Sequence, residues 1–450
     1  MSKLFSRGTE FGLLVFATVV FAITLVSLEL SQGNVLTLDV LYLIGGFIGV
    51  FAVAHLFLCF LAPYADQIML PIVAVLNGTG LIMLQRLDLA SGGELAVRQV
   101  MWTVVGLILF ALVLVLLRDH RSLTRYSYIL GALGLIFLAL PLVWPQPPGV
   151  EARIWLWLGP FSIQPGEFSK ILLILFFAML LTQKRSLFTV AGFTFLGLSL
   201  PRLRDLAPIL VIWGIAIVIM GISNDFGPAL LLFSTVLGML FMATNRVSWL
   251  IIGVILVGIG GFGIYQVSDK IQQRFSNFID PLANYDTTGF QLSQALFGMS
   301  SGGITGTGLG QGHPDMVPVA HSDFILAGIG EEFGLVGLAA VLVLFAMLVS
   351  RGFRTALTCR DTYGKLVASG LALTLAVQVF VVTGGISALL PMTGLTTPFM
   401  SAGGSSLMAN YMLLAVLLRI SNAARRPARE LTSNAPSDTS MFPAIQEATR

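Results

Sequence analysis

Long apolar runs, interrupted by short polar or glycine-rich segments, fill the chain from Phe11 to Leu418. A helix that crosses a bilayer needs about 20 mostly apolar residues, and that ruler gives twelve candidate spans. They begin near Phe11, Val40, Gln67, Val97, Thr124 and Phe168, then near Leu206, Phe226, Val247, Asp323, Leu366 and Ser406. The span from Gln67 is the weakest, because Pro71, Asn77 and Gly78 leave it open to a break. The stretch from Leu187 to Leu200 is too short to cross and is expected at the interface. After Lys3 and Arg7 the first apolar run continues to Leu28, longer than a signal core, and no small-residue cleavage site follows clearly. No cleavable signal peptide is expected.

The pattern therefore predicts an all-α polytopic membrane protein with about 12 transmembrane helices. Composition sharpens this. Of 450 residues, 56% are hydrophobic and only 10% charged, with a mean hydropathy of +0.90. Soluble domains carry about 25% charged residues, so a soluble globule, a disordered chain and a nucleic-acid binder are excluded. Two cysteines, Cys59 in an apolar run and Cys359 in a basic loop, are too few for a disulfide scaffold or a zinc site.

Charge placement sets the expected orientation. With twelve spans both termini share a side, and 19 of the 25 basic residues fall there, from Lys3 and Arg7 through Arg118, Arg246, Arg351 and Arg419 to Arg450. Basic residues favour the cytoplasmic side, so both termini are expected in the cytoplasm. Three segments are then extracytoplasmic: Pro145 to Ser169, the large loop of residues 266–322 between helices 9 and 10, and Ser387 to Ser405. A connection as long as the middle one is usually functional or disordered. Phe275, Phe278, Tyr285, Phe290 and Phe297, with a glycine-rich run from Gly298 to Gly312, speak against disorder. Residues 1–422 read as one membrane domain and residues 423–450 as a disordered cytoplasmic tail.

Ionisable groups at membrane depth often mark function. Glu167 and Lys170, three apart at the start of the sixth span, share a helix face. They read either as an ion pair anchoring a helix or as a carboxylate positioning a lysine for an anionic head group. Arg274, Asp280, Asn284, Asp286 and Gln291 cluster in the long loop, followed by His313, Asp315, His321 and Asp323, with Glu331 and Glu332 about two turns inside the tenth span. Such a set suits a sugar hydroxyl and a pyrophosphate, a carboxylate acting as base and cations or a metal holding phosphate. It equally suits a solvated loop whose Asp and Asn make turns. The proline- and glycine-rich segment from Pro391 through Thr393, Ser401, Gly403, Gly404 and Ser405 to Ser406 forbids a regular helix. It reads as a cavity lining or as a plain hairpin.

These segments together resemble the SEDS family (shape, elongation, division and sporulation), the RodA and FtsW group. The resemblance rests on Gly159 to Lys170, on Ser300-Ser301-Gly302-Gly303 with Gly306 to Gly310, on His321 to Ile325, on Gly330 to Gly337, and on Pro391 to Ser406. It covers roughly residues 95 to 422, and the wording around Pro160 with two extra N-terminal helices leans toward the RodA branch. It implies a peptidoglycan glycosyltransferase that polymerises lipid II outside the bacterial cytoplasmic membrane, with undecaprenyl pyrophosphate leaving, beside a class B penicillin-binding protein. It also implies a divalent cation, Mg²⁺ or Mn²⁺. Family members typically carry an Asp-Pro pair seven residues before the Gln of a Gly-Tyr-Gln motif, where this chain has Asn284-Tyr285 before Gln291. Asn cannot act as a base, and Asp286, two residues on, is the expected substitute. Glu167 and Lys170 match the family's paired cavity residues. Arg274, Asn284, Gln291, His321, Asp323, Glu331 and Glu332 are expected to contact substrate or shape the site. Thr393, Ser401, Gly403, Gly404 and Ser405 are expected in the cavity wall. A lipid-linked precursor flippase and a non-catalytic scaffold for a penicillin-binding protein remain as alternatives. No inverted repeat supports the flippase, whereas Asn284 keeps the scaffold open.

Overall fold

A computed structural model describes residues 7–35, 38–147, 152–159, 161–189, 193–195, 198–200 and 203–427, with side chains outside 184–209. Lys3, Pro160, Arg202, Arg429, Arg450 and most of the expected tail lie outside the described residues. Four helices come first: α1 (Gly8–Ser31), α2 (Leu38–Leu61), α3 (Met69–Ser91) and α4 (Leu95–Leu116). A 3-10 helix, His120–Tyr126, runs into α5 (Ser127–Val143). An antiparallel hairpin, β1 (Leu156–Leu158) with β2 (Phe161–Ile163), pairs Trp157 with Ser162 ahead of α6 (Pro165–Thr189). A second hairpin, β3 (Phe193–Phe195) with β4 (Leu198–Leu200), occupies the end of the stretch expected at the interface. Then come α7 (Leu203–Ile222), α8 (Phe226–Thr244) and α9 (Ser248–Val267). The long loop holds α10 (Asp269–Ile279) and α11 (Phe290–Gly302), and α12 (Ile325–Glu332), α13 (Gly334–Thr358), α14 (Thr362–Ile386) and α15 (Gly404–Arg425) close the chain.

Among the described residues eleven helices are long and apolar enough to cross a membrane. The twelfth expected span is α7, whose described apolar part is Leu210–Ile222. The bundle is layered by burial: 83% of the apolar window of α3 lies inside the protein but only 6% of that of α9. The weakest span in the sequence is thus the most central helix, and it is continuous. Pro71 sits in the first turn, where its missing N–H breaks no helix bond. A Cβ at Gly80 would stand 2.5 Å from the Met400 carbonyl oxygen, and one at Gly78 3.2 Å from the rings of Phe21 and Phe47. The residues that weaken this helix in isolation let two neighbours reach its backbone.

The span expected from Asp323 is divided. Phe333 ends α12, and α13 begins at Gly334 with φ +67°, so Glu331 and Glu332 precede the span instead of lying two turns inside it. The cause is a backbone crossing. The N–H groups of Leu335 and Val336 donate to Gly303 and Ile304 at 3.0 and 3.1 Å, and a Cβ at Gly334 would stand 2.3 Å from the Gly306 nitrogen.

The two ends of the bundle differ. At one end lie the start of α1 and the finish of α15: buried Arg7 donates to the carbonyls of Ala62 and Ala65, each at 3.0 Å, and Arg425 pairs with Asp66. The other end, the loop end, carries α10, α11, the glycine-rich run and residues 391–403.

Candidate functional site

The site is built where α6, α14 and α15 meet the 391–403 segment. Pro165 opens α6 and Glu167 stands in its first turn, where a carboxylate complements the helix dipole. Lys170 Nζ donates to Glu167 Oε2 at 2.7 Å and to Gln378 Oε1 at 3.2 Å, and both charged groups are buried. Gln378 Nε2 in turn donates to the Thr396 carbonyl at 2.7 Å. The Gln164 N–H donates to Ser405 Oγ at 2.8 Å, so the start of α6 is held on the start of α15. A narrow cleft beside the pair is walled by Leu138, Leu173, Leu231 and Leu395. An ammonium in such a wall is costly unless paired, and a lysine so held offers its remaining N–H to an anion.

Sequence reasoning passed over Asp225, which belongs to this site. It sits between α7 and α8 after Asn224, a residue with φ +57°, and its carboxylate does not cap α8. Burial pushes that carboxyl up to about 7, Glu167 adds to the rise, and Lys270 and Arg274 oppose it. The available signal was an acid at the mouth of an apolar span with no capping role. Arg274 is on α10: burial lowers its pKa, while the charges of Asp323 and Asp225 favour its charged form. Its Nη1 donates to the Thr393 carbonyl at 3.1 Å, and a Cβ at Gly394, which has φ +73°, would stand 3.2 Å from Nη2. Thr393 therefore contributes its backbone, and Gly227 of α8 lies against the same carbonyl.

The other loop residues are distributed less tightly. Asn284 donates to Ser276 Oγ at 3.1 Å and to the Asp280 carbonyl at 3.2 Å, while its own carbonyl accepts from Gly289 at 2.9 Å. It shapes a turn. Asp280 accepts from the Ala283 N–H at 2.9 Å. Asp286 is exposed on that turn, and Gln291 donates to the Pro318 carbonyl at 2.7 Å. His321 and Asp323 are partly buried; burial lowers the His321 pKa against the pull of Asp88, and burial raises that of Asp323 against Arg274.

Glu331 and Glu332 hold the glycine-rich run. Glu331 accepts from the His313 N–H at 2.6 Å. Glu332 accepts from Arg86 Nε at 2.8 Å, and Arg86 also donates to the Gly312 carbonyl at 2.6 Å. Ser401 accepts from the Thr397 N–H at 2.9 Å and donates to the Ser322 carbonyl, and the Ala402 N–H donates to the His321 carbonyl at 2.8 Å. The Gly403 carbonyl accepts from Leu407 at 2.8 Å, and a Cβ at Gly404 would stand 2.6 Å from the Trp102 ring. Buried Gln99 donates to the Ser401 carbonyl at 3.1 Å. The expected cavity wall is thus stitched to the turn carrying His321 and Asp323. Among the described residues, no His, Cys, Asp and Glu trio at this end is close enough to cage a metal.

The profile of the FtsW/RodA/SpoVE cell cycle proteins matches residues 66–426. Peptidoglycan glycosyltransferase RodA of Mycobacterium tuberculosis (strain ATCC 25618 / H37Rv) is 48% identical over 436 residues, 95% of this chain and 93% of that protein. The protein of the same name from Mycobacterium leprae (strain TN) is 49% identical over 437 residues, with the same coverage. A chain from a peptidoglycan synthase complex that coordinates polymerization and crosslinking superposes with a TM-score of 0.65 at 25% identity, covering 80% of this chain and 99% of that one. Rod shape determining protein RodA of Thermus thermophilus superposes at 0.57 with 26% identity, covering 80% and 98%. On a profile spanning most of its length and relatives near half identity along almost all of it, this chain belongs to the FtsW/RodA/SpoVE family of cell cycle proteins.

Proposed function

We propose that the loop end is the active site of a peptidoglycan glycosyltransferase of the RodA branch that polymerises lipid II. The observation that carries the reading is the buried Lys170–Glu167 pair walled by leucines, in a chain 48% identical to a RodA glycosyltransferase. In the reaction the 4-hydroxyl of the incoming GlcNAc attacks the anomeric carbon of the terminal MurNAc. The C–O bond to undecaprenyl pyrophosphate breaks with inversion, and the hydroxyl proton passes to a carboxylate. Lys170 and Arg274 supply fixed positive charge where the pyrophosphate departs. Because pyrophosphate is a good leaving group, one carboxylate suffices as base, and Asp286 is the loop candidate. Asp225 is a second candidate, favoured by a carboxyl held near neutrality, the range in which a general base is most effective.

Mg²⁺ or Mn²⁺ fits this donor set as a substrate-borne ion. Mg²⁺ is commonly held by one or two carboxylates plus substrate phosphates, and Asp225 and Asp323 are the carboxylates nearest in effect to Arg274. Such an ion would offset charge on the leaving group. The basic residues at the terminal end favour the cytoplasm for that end and the outside for the loop end, and a class B penicillin-binding protein is the proposed partner.

The test is glycan formation from lipid II by the purified protein with its transpeptidase partner, in Mg²⁺ or Mn²⁺, with moenomycin silencing unrelated glycosyltransferases. Polymer that disappears in Asp286→Ala assigns the base to the loop, and polymer that disappears only in Asp225→Asn moves it to the α7–α8 junction. No polymer from folded wild type, with an active relative as control, would leave the scaffold; lipid II transport without polymer would leave the flippase.

A further inference from the structure

At the terminal end, opposite the active site, three side chains of different chemistry converge. His120 opens the 3-10 helix before α5, and Cys359 and Asp361 lie in the turn between α13 and α14. Their donor atoms all lie within 4.8 Å of one another. His120 Nε2 is 2.9 Å from Asp361 Oδ1, and Cys359 Sγ is 3.3 Å from the same oxygen. His120 and Cys359 are buried.

Two further observations point to a ligand. The α14 backbone passes this cluster at Gly364, and a Cβ there would stand 2.6 Å from His120 Nε2, 2.7 Å from Cys359 Sγ and 3.0 Å from Asp361 Oδ2. Only glycine lets the imidazole nitrogen, the sulfur and the carboxylate oxygen converge this closely on the α14 backbone. Second, His120 Nδ1 is buried without a hydrogen-bond partner among the described residues, yet it lies 3.6 Å from Asp119 Oδ1. A carboxylate behind the second ring nitrogen is the usual support of a metal-bound histidine.

We propose that His120, Cys359 and Asp361 form a three-ligand Zn²⁺ site that ties the 3-10 helix before α5 to the start of α14. Zinc binds nitrogen and oxygen at about 2.0–2.2 Å and sulfur at about 2.3 Å, so the three donors, within 4.8 Å of one another, must draw in around the ion. Binding forms a Zn–S bond and releases the Cys359 thiol proton to solvent. The His120 ring proton moves from Nε2 to Nδ1, toward Asp119. The fourth position faces an open polar pocket lined by Arg118, Arg121, Arg360, Arg419 and Arg426. Thiolate and carboxylate together cancel the ion's charge, which is what makes a dication acceptable among these arginines. Arg121 Nε, 3.4 Å from Asp361 Oδ1, is the competing partner.

The test is Co²⁺ titration of the full chain in detergent, purified without a polyhistidine tag and stripped with a chelator. One equivalent of Co²⁺ with a near-ultraviolet thiolate-to-metal charge-transfer band, displaced by Zn²⁺, is expected for wild type and for Cys59→Ser. The band should vanish in Cys359→Ser. In Asp361→Asn, which can still cap Gly364, affinity should fall by more than the roughly 10–100-fold that losing an outer-shell partner costs. No band from folded wild type at saturating Co²⁺, a band that survives Cys359→Ser, or unchanged affinity in Asp361→Asn would each overturn the proposal.

Discussion

Both ends of the bundle bury charge, but they satisfy it differently. At the terminal end Arg7 is fully enclosed and saturated: it pairs with Glu10 and donates to the carbonyls of Ala62, Ala65 and Asp66. Glu10 also meets His55 Nδ1 at 2.6 Å. At the loop end one ammonium meets one carboxylate and one amide oxygen, and Asp225 is buried enough to lose acidity while caged by no capping bond. A saturated network holds helices together, because every polar atom already has its partner. An unsaturated one keeps donors and acceptors for a substrate that brings the missing charge. The Cys359 node is the intermediate case, with one orphan nitrogen beside three converging donors.

That contrast can be broken or sharpened by mutation. Removing the base should have the largest effect: the correct choice between Asp286→Ala and Asp225→Asn should lower polymerisation by about 10²–10⁴-fold while the protein still folds and melts cooperatively. Lys170→Ala should cost about 10²–10³-fold by analogy with loss of one preorganised donor, with a smaller loss in Lys170→Arg, measured as glycan formed per minute. At the saturated end the signs reverse. Arg7→Ala should destabilise by about 3–5 kcal/mol, since Glu10 is left buried without its partner, while polymerisation per folded molecule stays within about twofold; thermal unfolding in detergent separates the two. Gly334→Ala should cost about 1–3 kcal/mol, because its left-handed backbone and the Gly306 contact exclude a side chain.

The smallest effect concerns pH. Asp225 is raised above its ordinary 3.8 to about 7, so the folded state favours its neutral form. Its contribution to stability is fully present below about pH 4 and is lost as pH rises through about 7. Wild type should lose stability relative to Asp225→Asn across that window, read from paired melts. A flat difference would place Asp225 outside the buried cluster.

Much of the candidate site was legible early. Glu167 and Lys170 were adjacent on a helix face, and the 3.6-residue period alone brings them together. Gln378 was not legible, because its contact with Lys170 spans 208 residues. Glu331 and Glu332 were misplaced inside a span because apolarity continues through Phe333, and only the crossing at Gly303 and Gly306 divides the helix. The family profile begins at residue 66, yet Gln32 at the end of α1 reaches the Gly310 carbonyl, so the N-terminal pair is part of the same scaffold.

Alone, the sequence determined the all-α, multi-spanning architecture, the approximate limits of most apolar helices and the family. Each of these follows from local apolarity or from residues close in the chain. Tertiary structure decided which helix is central, where the tenth span begins and that Gln378 meets Lys170. It also decided the fate of the cysteines. Two cysteines are too few for a zinc site when counted along the chain, but packing sets Cys359 beside His120 and Asp361. The physical reason is the same in each case: hydropathy is a property of one segment, whereas a site is a meeting of segments whose approach glycines such as Gly80, Gly334 and Gly364 permit.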